Sequence, residues 1–140
     1  MHQMKIHFPK KLNKTQIENF FIKIGLKQLV SESKKKILSK IDQRTMTIPQ
    51  PPDLNDLYRL YMFIILNKRT TVLEFGTGYS TLVMHYALME NQKKFGLKKP
   101  FPRCENPYEI FSIDNNKFYT KISKDRLKKN SKKMKYVNFF

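Results

Sequence analysis

Apolar residues recur at two periods along this chain, and the switches between those periods mark its elements. From Asn13 to Ile41, Ile17, Phe20, Phe21, Ile24, Leu29, Ile37, Leu38 and Ile41 return at about helical spacing. The pattern weakens at Gly25 and from Ser31 to Lys36, which predicts two short helices with Thr15 as a cap. A basic amphipathic segment of this kind suits a membrane surface or RNA, but a helix packing on a sheet shows the same stripe, and packing is the preferred reading. Thr47-Ile-Pro-Gln-Pro-Pro52 follows as an extended linker, because each proline fixes its own φ and biases its predecessor away from helix. Asp53 then caps a predicted helix from Leu54 to Asn67, whose buried face is Leu57, Leu60, Tyr61, Ile64 and Ile65. Asp56 in its first turn and Lys68 and Arg69 at its end complement the helix dipole.

Beyond Arg69 the apolar runs shorten and become β-branched and aromatic. Thr71 to Phe75 reads as a strand and Gly76-Thr77-Gly78 as a turn. Ser80 to Gln92 reads as a helix, with Leu82, Val83, Tyr86, Ala87 and Met89 available for packing. Asn91 to Pro107, rich in Lys, Gly and Pro, has the composition of a loop. A second strand runs from Tyr108 to Asp114, a helix from Lys117 to Leu127, and a third strand from Lys135 to Phe140. Strand, helix, strand, helix, strand is the signature of a parallel sheet with crossover helices. The expected fold class is therefore α/β, a partial Rossmann-like parallel sheet preceded by a helical arm. The expected division is a basic arm over residues 1–46, a linker over 47–52 and a truncated cofactor-binding domain over 53–140.

The turn carries the candidate chemistry. A strand running into Gly-x-Gly and then a helix brings backbone close to a nucleotide-like ligand, with helix-terminal N–H groups facing it. A dinucleotide fingerprint requires a third small residue where this chain has Thr81, and no G-x-x-x-x-G-K-[ST] run occurs. Glu74, two positions before the first glycine, is a poor neighbour for a pyrophosphate and suits a cationic or zwitterionic ligand better. Asp114 ends the second strand, where a carboxylate accepts hydrogen bonds from ribose hydroxyls, with Asn115 beside it. It lies 36 residues beyond Gly78, so an insertion separates the two motifs. Asp114 also has the position and chemistry of a helix N-cap.

Val72-Leu-Glu-Phe-Gly-Thr-Gly-Tyr-Ser-Thr81 resembles the first motif of the class I S-adenosylmethionine-dependent methyltransferases, with Ser80 in place of the third glycine. The resemblance covers residues 50 to 140 and implies that Gly76, Thr77, Gly78, Tyr79 and Ser80 lie under the methionine part of S-adenosylmethionine. It implies further that Glu74 contacts that end and that Asp114 and Asn115 sit at the ribose. The implied activity is transfer of the sulfonium methyl group to an unknown acceptor. No catalytic residue can be named, because the family's acceptor-side motifs have no counterpart here. The expectation is a truncated cofactor-binding half, with an apolar strand edge over residues 136–140 prone to association.

Composition changes this picture at its margins. A formal charge of +17 and a pI near 10.0 raise a second reading, a basic nucleic-acid-binding module. Only five of the 28 basic residues are arginine, the residue that forks onto phosphates and guanine edges, so this reading ranks below the first. The excess sits on the flanks: residues 1–45 hold 11 basic and 3 acidic groups, residues 46–90 hold 3 and 4, and residues 91–140 hold 14 and 4. A third reading is a non-catalytic half that needs a partner chain. The single Cys104 excludes an internal disulfide framework, and His2, His7 and His85 are too scattered for a metal site. No apolar run approaches the about 18 residues of a membrane helix, and no secretory leader is evident, so a cytoplasmic location is expected.

Overall fold

The computed structural model describes residues 5–36, 49–96, 107–130 and 136–140. Its contacts separate two compact units, Lys11–Tyr58 and a larger one holding Arg59–Phe140 together with the segment up to Lys10. The division falls inside a helix, between Tyr58 and Arg59.

The smaller unit contains helices α1 (Lys14–Lys23) and α2 (Lys27–Ser33), broken at Gly25, where φ is +87°. The cap of α1 is Asn13 rather than Thr15. Asn13 Oδ1 accepts the Gln16 N–H at 2.9 Å while Gln16 Oε1 accepts the Asn13 N–H at 3.0 Å, a reciprocal arrangement that satisfies two helix-terminal donors at once. Ile17, Phe21, Leu26, Leu29, Val30, Leu57 and Tyr58 are buried, and Phe20 meets Phe21 and Tyr58 edge-on. Ile37, Leu38 and Ile41 lie outside the described residues, as do residues 47 and 48 of the expected linker. Its last residue, Pro52, is buried.

Helix α3 (Leu54–Leu66) starts at Asp53, whose Oδ1 accepts the N–H groups of Asn55 and Asp56 at 2.8 and 3.2 Å. Of its expected buried face, Leu57, Tyr61 and Ile64 are buried and Leu60 and Ile65 half-buried, with Tyr58 added.

In the larger unit β1 (Thr71–Phe75), β2 (Glu109–Ile113) and β3 (Val137–Phe139) form a parallel sheet in the order β1-β2-β3, with helices α4 (Tyr79–Phe95) and α5 (Lys117–Asn130) between successive strands. The molecule is thus α/β, with a three-stranded parallel sheet compatible with a partial Rossmann-like arrangement after a helical region. Val72 lies opposite Ile110, and Glu74 opposite Ser112. β3 stands at an edge of the sheet, so the run from Tyr136 to Phe140 is indeed an edge, and Phe140 continues the ladder by donating to the Ser112 carbonyl at 2.9 Å.

Helix α4 is the centre of the core. Leu82, Val83, Met84, Ala87 and Leu88 are buried, as are Thr81, His85 and Asn91, while Tyr86 and Met89 are half-buried. It runs further than the composition of Asn91 to Pro107 suggested, to Phe95, and stops at Gly96, where φ is +67°. Asn91 is not a loop residue: its Nδ2 donates to the carbonyls of Ile64 at 3.1 Å and Arg69 at 2.9 Å, which braces the end of α3 and the approach to β1. Residues 97–106 lie outside the described residues. β2 begins at Glu109 and not at Tyr108, because Tyr108 has φ +76°, a left-handed conformation that cannot continue a strand. The buried Tyr108 ring is held by its hydroxyl, which donates to the Gly96 carbonyl at 3.0 Å.

Candidate functional site

The residues singled out in the sequence meet at the carboxyl-terminal edge of the sheet. Gly76 leaves β1 with φ +87°, a conformation that favours glycine, and its N–H donates to the Ile113 carbonyl at 2.7 Å. β1 and β2 therefore end together, and the carboxylates of Glu74 and Asp114 flank the turn between them.

Glu74 is half-buried and does not stand free. Ser80 Oγ donates to its Oε1, and Oε2 accepts from Thr81 Oγ1 at 2.6 Å and from Ser112 Oγ at 2.8 Å. Three hydroxyls thus occupy three of the about four lone-pair directions of a carboxylate, which holds the charge without a cationic partner. Thr81 Oγ1 also accepts the Gly78 N–H at 3.2 Å, so one threonine links the carboxylate to the start of α4. Thr81 and Ser112 are fully buried under this arrangement.

Asp114 closes the other side. Its Oδ2 accepts the Thr77 N–H at 2.7 Å and the Thr77 hydroxyl at 3.0 Å, and its Oδ1 accepts the Asn116 N–H at 2.8 Å. Partial burial pushes its pKa up, but the hydrogen bonds from the Thr77 N–H, the Asn116 N–H and the Thr77 hydroxyl outweigh that and hold it below the ordinary carboxylate value. The N-cap of α5 is Asn116, whose Oδ1 accepts the Phe118 N–H at 2.9 Å, so Asp114 makes an Asx turn ahead of the helix instead of capping it. Asn115 is exposed beside it.

Between the carboxylates the turn is open. Gly76 is exposed, and Thr77, Gly78, Tyr79 and Ser80 are half-buried. Gly78 is extended, with φ −173°, and a Cβ built on it would meet nothing closer than Ser80 Oγ at 3.8 Å. Neither the backbone nor internal packing requires glycine at position 78, and the space beside it is free to receive an external group. Tyr79 opens α4 under the Arg126 guanidinium, 3.6 Å from its ring centroid, which places a cation beside the turn.

Three participants escaped the sequence reading: Ser112, Thr81 as a ligand of Glu74, and Arg126. For Ser112 a signal existed, since a parallel register that aligns the two strand ends puts it opposite Glu74. Thr81 stands out in the sequence only as a departure from the dinucleotide pattern. Arg126 carried no local signal.

His85, on α4, is 1% exposed, and burial lowers its pKa to about 4. No group of three or more His, Cys, Asp or Glu among the described residues is placed to hold a metal ion. No helix among the described residues is long and apolar enough to cross a membrane. A cleft of about 450 Å³ lies within the Lys11–Tyr58 unit, lined by residues that include Leu12, Ile17, Pro51, Pro52 and Asp53, and none of the turn residues contributes to it. Compared with protein-family models, curated proteins and solved structures, the chain matches none.

Proposed function

We propose that the larger unit binds S-adenosylmethionine at the Gly76–Ser80 turn and is the cofactor-binding part of a methyltransferase. The observation that carries this reading is the pair of carboxylates, Glu74 and Asp114, at the ends of adjacent parallel strands on either side of an exposed turn with free space at Gly78. When bound, the cofactor supplies a sulfonium methyl group for transfer.

The chain's own residues divide the work of holding it. Gly76 turns the backbone away from the sheet, and Gly78 leaves room above the start of α4. Glu74 fixes Ser80 and Thr81 and retains one acceptor direction toward a cationic ligand. Asp114 is already engaged by Thr77, so a ribose diol binds there by taking over the bonds that Thr77 now donates. The turn therefore rearranges locally on binding, with Thr77 as the group that moves.

A sheet face left apolar and exposed among the described residues, with Leu73 58% and Phe75 79% exposed, favours a second reading in which this unit is half of a larger sheet completed by another polypeptide segment.

Thermal unfolding with and without S-adenosylmethionine or its demethylated product tests the first reading. At a ligand concentration about 100-fold above Kd the expected stabilisation is about 2.7 kcal/mol. Gly78→Val is expected to leave the unliganded melting temperature nearly unchanged and to remove the ligand shift. A wild-type protein that shows no shift at millimolar ligand, or a shift that survives Gly78→Val, overturns the proposal.

A further inference from the structure

We propose that the solvent face of α5 binds the phosphodiester backbone of a single-stranded nucleic acid, independently of the glycine turn. Composition alone gave the chain a diffuse positive charge; the structure gathers part of it into a line. Lys117, Lys121, Lys124 and Lys128 follow one another at steps of four, three and four residues along α5, and all four are exposed. At 3.6 residues per turn they fall within an arc of about 60° and span about 16 Å along the axis. None of them pairs with a carboxylate among the described residues, and the acidic group of α5, Asp125, lies to one side of the line.

The buried side of the helix, Ser123 and Leu127, points elsewhere. α5 therefore has no spare apolar stripe to sink into a bilayer, which is what a membrane-surface helix requires. Aromatic rings accompany the line instead. Lys124 Nζ stands 5.2 Å from the ring centroid of Phe139, and Phe118, about a quarter of a turn around α5 from the line, is exposed. Ammonium groups that track phosphates beside rings on which bases stack are the elements of single-strand recognition. Lysine, a point charge without a planar fork, suits the backbone and carries no base preference.

The test is equilibrium binding of fluorescent single-stranded RNA and single-stranded DNA, with duplex DNA and anionic phospholipid vesicles as further arms, across a salt series. Four phosphate contacts on a single strand give a log–log salt slope of about −2.8, an affinity loss of about 50-fold between about 50 and about 200 mM salt. Replacing Lys117, Lys121, Lys124 and Lys128 together by Gln should flatten the slope by about that amount. Replacing four other exposed lysines, Lys10, Lys11, Lys23 and Lys27, should change it far less, and Gly78→Val should leave it as it is. Tighter binding to one of the two single strands identifies the source of the backbone. The proposal is overturned if neither strand binds, if duplex or vesicles bind more tightly than both, or if the control quartet weakens binding as much as the α5 quartet.

Discussion

On one face of the sheet Ile110 and Ser112 are fully buried and Glu74 is tied to Ser112 and to the first turn of α4, whereas on the other Phe75, Leu73 and Ile113 are exposed. Both faces belong to the same strands and alternate residue by residue, so strand propensity is common to them. The difference lies in what is laid against each. Helix α4 covers the first, and α5 packs beside α4. On the second, Phe111 and Phe140 stack with their ring centroids 6.3 Å apart. Parallel sheets are normally covered on both sides. The stabilising core and the candidate site therefore share one layer, and among the described residues the exposed layer adds little to either.

The largest effect that would break this comparison comes from the covered side. Leu88 is fully buried on α4, and Leu88→Ala should cost about 2 to 5 kcal/mol through lost transfer free energy and the cavity left behind. Urea unfolding measures it; a loss below about 1 kcal/mol would mean that α4 is not the centre of the core.

The covered side also holds a proton-sensitive group. Burial lowers the His85 pKa from 6.5 to about 4, so the unfolded chain takes up a proton that the folded chain excludes. The stability gained from keeping this imidazole neutral is complete above pH 6.5 and declines as pH falls toward 4. The loss amounts to about 2 kcal/mol by about pH 5 and about 3 kcal/mol in full. Unfolding midpoints of wild type and His85→Leu at pH 7.5 and pH 5 separate this group from the carboxylates. Only the wild type should lose the His85 share, and equal losses in both would place the imidazole in solvent.

The covered layer was also the more legible one. β1 and the starts of α3 and α5 coincide with the sequence reading because each is bounded by strong local chemistry: the Asp53 cap, Gly76 at positive φ, and the Asp114-Asn-Asn116 turn. Errors arose where tertiary contacts decide. Asn91 looked like a loop residue and is a buried brace, and Tyr108 looked like a strand residue although its left-handed backbone starts β2 one residue later. At the site, Glu74, Asp114 and the glycines were visible as a motif, but their partners were not. Three hydroxyls from α4 and β2 converge on Glu74 only once register and crossover are set, and Thr77 reaches Asp114 across 37 residues. A motif announces that a turn is special; it does not say which of its polar groups are already spent.

The smallest effect sharpens the comparison most. Phe75 is 79% exposed at the end of β1, and threonine, a β-branched residue, keeps the strand preference there, so Phe75→Thr should change monomer stability by no more than about 0.5 kcal/mol. Its consequence should appear in association, as a later elution volume in size-exclusion chromatography wherever the wild type self-associates through Leu73, Phe75 and Ile113. The +17 charge opposes close approach of two copies, so any such association should strengthen with salt. That is opposite in sign to binding at the α5 lysines, and one salt series can distinguish the two surfaces. If Phe75→Thr instead costs about 2 kcal/mol and the loss depends on protein concentration, this face is covered by a second copy in solution, because an exposed ring has no such stability to lose.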